Sequence, residues 1–163
     1  MAKTKPETTT DPAFLDEPDL ELGRLLFGLV QSLRKHMLDV AADLDLTPAQ
    51  AAAVRNLDQP RSQQDLANRL ELNASSVTDI ADQLEAQGLL ERQVDADDRR
   101  IRLLRLTPKG ETVRREFFAR MIQDAPLLKG LSRNDRVTLQ RLLAKTVEPQ
   151  DFLTVPIFRA KAR

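Results

Sequence analysis

Apolar residues recur at helical spacing along most of this chain, and one stretch breaks that rhythm. From Asp19 to about Ala42, the positions Leu22, Leu26, Leu29, Val30, Leu33, Met37, Val40 and Ala41 predict a long amphipathic helix. Thr47-Pro48 opens the next helix, with Gln50 at its third position. Ser62-Gln63-Gln64-Asp65 has the spacing of a capping box, backed by Leu66, Ala67 and Leu70. Asn73 caps a further helix whose apolar residues are Val77, Ile80, Ala81 and Leu84, and Gly88 closes it. Two more helices are expected, from Pro108 to Gln123 and from Arg133 to about Val147.

The break in period falls between Gly88 and Thr107. Two short runs, Leu89 to Val94 and Ile101 to Leu106, flank the charged turn Asp95-Ala96-Asp97-Asp98-Arg99-Arg100. They predict a β-hairpin with arginines at its tip. Two short helices, a hairpin and a following helix capped by Thr107-Pro108 make a winged helix-turn-helix, a module that sets one helix in a DNA groove with a charged loop beside it. The expected fold class is mainly α with a small β-hairpin wing, joined to a helical dimerisation lobe.

Four segments carry a resemblance to a known family. They are LTPAQAAAVRNL at 46–57, SQQDLANRLELNASSVTDIADQLEAQGLLER at 62–92, DADDRRIRLLRLTPKGE at 95–111 and LSRNDRVTLQRLLAKTV at 131–147. In register, they resemble the MarR family of bacterial regulators over roughly residues 20–147. The resemblance implies that helices one, five and six of two subunits interleave into a homodimer. Two recognition helices would then stand about 34 Å apart, one turn of B-DNA, which implies a pseudo-palindromic site. The expected division is a disordered tail at 1–18, a dimerisation helix at 19–45, a DNA-binding domain at 46–107, dimerisation helices at 108–148 and a C-terminal arm at 149–163. The leucines support a dimer independently: Leu25, Leu26, Leu29 and Val30 cannot all point into one small core.

The same resemblance marks residues that would meet double-stranded DNA. Ser75, Ser76 and Thr78 lie near the start of the recognition helix, where hydroxyls can reach phosphates or base edges and the helix dipole favours phosphate. Ser62 joins them at the start of the preceding helix. Asp79, Asp82 and Gln83 share the exposed face. Here the chain departs from the family, which usually carries a basic residue at the position of Asp79 and often one near Asp82. An aspartate can accept from cytosine N4, giving altered specificity. Alternatively, these aspartates lie along the surface and pair with Arg69 or Arg92, and both readings stand open. On the hairpin, Arg99, Arg100 and Arg92, with Arg102 and Arg105, concentrate positive charge. Arginine suits a narrow minor groove. By family position Arg100 inserts, while Arg99 and Asp98 shape the turn. The plain alternative is a solvated hairpin whose arginines neutralise Asp95, Asp97 and Asp98.

Composition narrows the picture further. The chain has 163 residues, 25 basic and 25 acidic, and a formal net charge of zero, so attraction to DNA must come from local patches. Absent cysteine removes disulfides, thiol redox sensing and Cys-based metal sites, and a single histidine, His36, rules out a multi-His metal site within one chain. No cofactor is expected. Without Trp or Tyr, base stacking on those rings is not the binding mode. No apolar run is long enough to span a membrane, and the Thr-, Pro- and charge-rich start does not read as a secretory leader, so a cytoplasmic protein is expected. His36 is expected to be solvated or hydrogen-bonded, and Phe27, Met37, Phe117 and Phe118 to be core. An apolar cluster, Phe152, Leu153, Val155, Ile157 and Phe158, lies beyond Pro149 and predicts a docked, extended arm.

Together these features point to a homodimeric DNA-binding transcriptional regulator, a repressor released by a small-molecule effector. The competing reading is a winged-helix protein-interaction module with weak or no DNA binding, suggested by Asp79, Asp82 and the zero net charge. With no nucleophile–base pairing or phosphate loop visible, an enzyme is a distant third.

Overall fold

The computed structural model describes residues 17–94 and 102–146. Its elements run in chain order as α1 (Glu17–Asp43), α2 (Pro48–Asn56), β1 (Arg61–Ser62), α3 (Gln63–Leu70), α4 (Ala74–Ala86), β2 (Leu90–Val94), β3 (Arg102–Leu106), α5 (Pro108–Gln123), a 3-10 turn (Pro126–Leu128) and α6 (Arg133–Leu143). The chain is thus mainly helical with a small antiparallel sheet in the order β1-β3-β2. The expected arm at 149–163 and most of the expected N-terminal tail lie outside the described residues.

Local chemistry explains why each helix starts where it does. Thr47, Ser62, Asn73, Thr107 and Ser132 each accept a backbone N–H three residues on, satisfying a donor that the first turn leaves without a partner. At Thr47 the box is reciprocal, because Gln50 Oε1 accepts from Thr47 N at 2.8 Å. Ser62 has only its half of the expected box: Asp65 turns its carboxylate to Arg61 and Arg69 instead. Helix α1 begins at Glu17, slightly before the expected Asp19. Pro18 is tolerated there because a first-turn N–H needs no helical partner. Helix α6 ends at Leu143, short of Val147.

The turns that aim α4 use the left-handed region. Gly88 (φ 71°) follows α4, and the bonds Gly88 N to Glu85 O and Leu89 N to Leu84 O, both 2.9 Å, form a Schellman motif. Non-glycine residues do the same work after α1 and α3, with Asp45 at φ 56° and Glu71 at φ 53°.

One core joins these elements. Met37, Val40 and Ala41 of α1 pack with Ala53 and Val54 of α2, Leu66 and Leu70 of α3, and Val77, Ala81 and Leu84 of α4. Leu90, Leu104 and Leu106 of the sheet and Phe117 and Met121 of α5 complete it. Gly110 is required for this packing: a Cβ there would stand 2.0 Å from the Leu89 carbonyl oxygen, so only glycine lets α5 close onto the start of β2. The hairpin register sets Arg92 opposite Leu104 and Leu90 opposite Leu106, and β1 adds Arg61 opposite Leu104. That third strand was not expected from the sequence. Phe27 also departs from expectation. Met37 and Phe117 are core, but Phe27 is 67% exposed, on a stretch of α1 that the other described residues leave uncovered.

Candidate nucleic-acid interface

Helix α4 turns Val77, Ile80, Ala81 and Leu84 into the core, which leaves Ser75, Asp79, Asp82, Gln83 and Ala86 on its outer face. Several polar groups of this helix are already engaged. Asn73 Oδ1 accepts from Ser76 N (2.8 Å) and from the Ser75 hydroxyl (2.7 Å). Thr78 donates to the Ala74 carbonyl (3.0 Å) and accepts from Gln63 Nε2 (3.3 Å), which ties α4 to α3. Gln83 Oε1 accepts from Gln50 Nε2 (3.1 Å), which ties it to α2. Gln50 is buried, so one carboxamide both caps α2 and holds α4. These bonds fix the direction of α4 before any partner arrives.

Arg92 stands apart from the other predicted site residues. On β2 it is paired with Asp82 and Glu85 of α4, and its side chain is only 23% exposed. Hydrogen bonding to Asp82, together with the charges of Glu85 and Asp82, outweighs desolvation and raises its affinity for its proton. Asp82 therefore follows the surface-pairing reading. Asp79 does not: it is exposed and has no ion pair or hydrogen bond to another side chain among the described residues. Arg69 lies 3.5 Å from Asp65, not from Asp79.

Ser62 is half-buried and uses its hydroxyl on Asp65 N at 3.1 Å. Arg102 and Arg105 are exposed on β3. Arg99 and Arg100 lie outside the described residues. Behind the motif, Arg61 is buried and held by Asp58 (2.6 Å), Asp65 (3.0 Å) and the Asn56 carbonyl (2.8 Å), locking β1 to α2 and α3. Burial alone would raise the Asp58 carboxyl, but the hydrogen bond and charge of Arg61 take it below the usual carboxylate range. The ties of Gln50 to Gln83 and of Gln63 to Thr78 are not readable from the sequence, because the partners sit on separate helices.

The α1–α2 turn, the end of α4 and one face of α5 border an open cleft of about 540 Å³. Leu44, Leu89 and Val113 line it with Asp43, Asp45, Lys109, Glu116 and Arg120. His36, buried nearby on α1, donates from Nε2 to the Arg120 carbonyl at 3.2 Å. Among the described residues no cluster of three or more His, Asp or Glu could hold a metal ion, and no helix is long and apolar enough to cross a membrane.

Helices α2 to α4, the hairpin beside them and the flanking α1, α5 and α6 define a winged helix-turn-helix protein. Residues 46–101 match the MarR family model. The fold is similar to that of the YusO protein from Bacillus subtilis, at 28% identity and a TM-score of 0.66, covering 80% of this chain and 96% of that one. A MarR family protein from Bacillus stearothermophilus matches at 27% identity and a TM-score of 0.68, covering 80% and 94%. Wild-type MarR from E. coli, in its apo form, matches at 26% and 0.63, covering 78% and 97%. Residues 46–101 thus carry a MarR-family domain, and the fold around them is similar to that of MarR-family winged-helix proteins.

Proposed function

We propose that this chain is a homodimeric, DNA-binding transcriptional regulator that represses at a pseudo-palindromic operator and is released by a small-molecule effector. The observation that carries the reading is α4, a capped helix tied to α2 and α3 whose outer face is polar and open. Residues 46–107 bind DNA through Ser62, Ser75, Ser76, Thr78, Asp79 and Gln83, with Arg99 and Arg100 at the wing. Arg92 contributes by neutralising Asp82 and Glu85 beside the groove.

Residues 19–45 and 108–148 dimerise. Leu22, Leu25, Leu26, Phe27 and Val30 on α1 and Val137 and Leu142 on α6 are each at least half exposed or nearly so. Covering them with a second copy gains about 25 cal/mol per Å² of apolar surface. The cleft between α1, α4 and α5 is a place where an effector would sit, and the Gln50 carboxamide links the neighbouring turn to α4.

The test is selection of duplexes from a random library, followed by fluorescence anisotropy on the selected duplex across a salt series. Expected is a palindromic site whose log affinity falls with log salt by about 0.9 per phosphate neutralised. Failure to retain any duplex would overturn the reading in favour of a protein-interaction module, which the exposed Asp79 and the zero net charge favour.

A further inference from the structure

On the outer face of α4, most polar side chains have work to do inside the protein. Ser75 is held by Asn73, Gln83 by Gln50 and Asp82 by Arg92, while at the edge of the face Thr78 is held by Gln63 and the Ala74 carbonyl. Asp79 lies mid-helix between Ser75 one turn before it and Gln83 one turn after it, exposed and with no side-chain partner among the described residues. Resting on the DNA-binding reading above, we propose that Asp79 is a specificity-determining residue that accepts a hydrogen bond from cytosine N4 and so demands a G·C pair in each half-site.

The chemistry of the major groove gives the reason. An ionised carboxylate only accepts, and adenine N6 and cytosine N4 are the groove's only donors. Adenine sets N7, an acceptor, beside its donor, which suits a carboxamide and repels a carboxylate. Guanine O6 and N7 and thymine O4 also face it with acceptors. A carboxylate set against these edges, among phosphates, is desolvated without compensation. Asp79 thus works by penalty as much as by attraction: it weakens binding to every sequence that withholds cytosine at its position. Arg92 keeps the neighbouring Asp82 and Glu85 from adding the same penalty.

The experiment is selection from a randomised duplex library with the wild type, Asp79→Asn and Asp79→Ala. The substituted side chain is exposed and bonded to no other among the described residues, so the variants should fold, and their thermal melts check this. Wild type should enrich a G·C pair at one symmetric position of each half-site. Asp79→Asn should move that position to A·T, since a carboxamide pairs with adenine N6 and N7, and Asp79→Ala should lose the preference. Replacing the selected cytosine with 2-pyrimidinone, which lacks the N4 amino group, should weaken wild-type binding by about 5- to 150-fold and leave Asp79→Ala almost unchanged. The proposal is overturned if all three proteins select the same base at every position, or if wild type tolerates the analogue. A wild type that enriches no sequence at all overturns the DNA-binding reading itself, a result distinct from either of these.

Discussion

Leu84 on α4 is fully buried, whereas Leu25 and Phe27 on α1 are 62% and 67% exposed. The same long helix shows both behaviours: its C-terminal half buries Met37, Val40 and Ala41 in the core, while its N-terminal half leaves Leu20, Leu22, Leu26 and Val30 in water. No residue of α6 is buried. Comparing the winged-helix lobe with the α1–α6 region separates two kinds of apolar patterning. In the first, the apolar stripe is matched by the chain's own packing surface. In the second, the stripe is present without a counterpart among the described residues, which is what a surface covered by a second copy would show.

The sharpest way to test that contrast is to remove one leucine from each side. Leu104 is fully buried between the strands and the helices, so Leu104→Ala should destabilise the fold by about 2–5 kcal/mol in urea titrations. Leu25→Ala, at dilutions where the chain is monomeric, should cost no more than about 0.5 kcal/mol. At higher concentration its deficit should grow, because association stabilises the folded state by mass action. Equal losses at every concentration would show that the exposed face does not need a partner.

A smaller effect concerns the electrostatics that keep the winged-helix lobe rigid. The Asp58 carboxyl is held below its ordinary value, so its pairing with Arg61 stabilises the fold fully above about pH 4. That contribution is lost as pH falls through the lowered value, when the folded state must take up the proton. Asp58→Asn should therefore cost about 1 kcal/mol or less near neutrality and give a flatter acid limb. An acid limb identical to wild type would show that the pair does not anchor β1.

Much of this fold was legible because its signals are local. Thr47, Ser62, Asn73, Thr107 and Ser132 announce their helices by side chains that reach only three residues ahead. Gly88 was legible for the same reason. The turns at Asp45 and Glu71 were not, since aspartate favours a left-handed backbone only weakly and glutamate not at all. Strand β1 spans only Arg61–Ser62 and exists through its pairing with Leu104 and Leu103, far along the chain. At the candidate interface, the polar face of α4 was readable from period alone. Its internal ties were not: Gln50 to Gln83, Gln63 to Thr78 and Arg92 to Asp82 each join separate elements. Those ties decide which polar groups remain available, and so why Asp79 and Asp82, three residues apart, end in different environments. Phe27 was misjudged because an apolar stripe does not state whether its cover is the same chain or another.

The central claim is that one region is complete alone and the other is completed by a second copy. Sedimentation velocity of the wild type and of a Leu25→Lys, Leu26→Lys double variant tests it directly, with circular dichroism run on both. The account predicts a wild-type dimer at micromolar concentration. It predicts a double variant that sediments as a monomer and keeps its helical signal, because both positions are exposed in the single chain and charge is costly only where it must be buried. A wild type that sediments as a stable monomer at that concentration would contradict it.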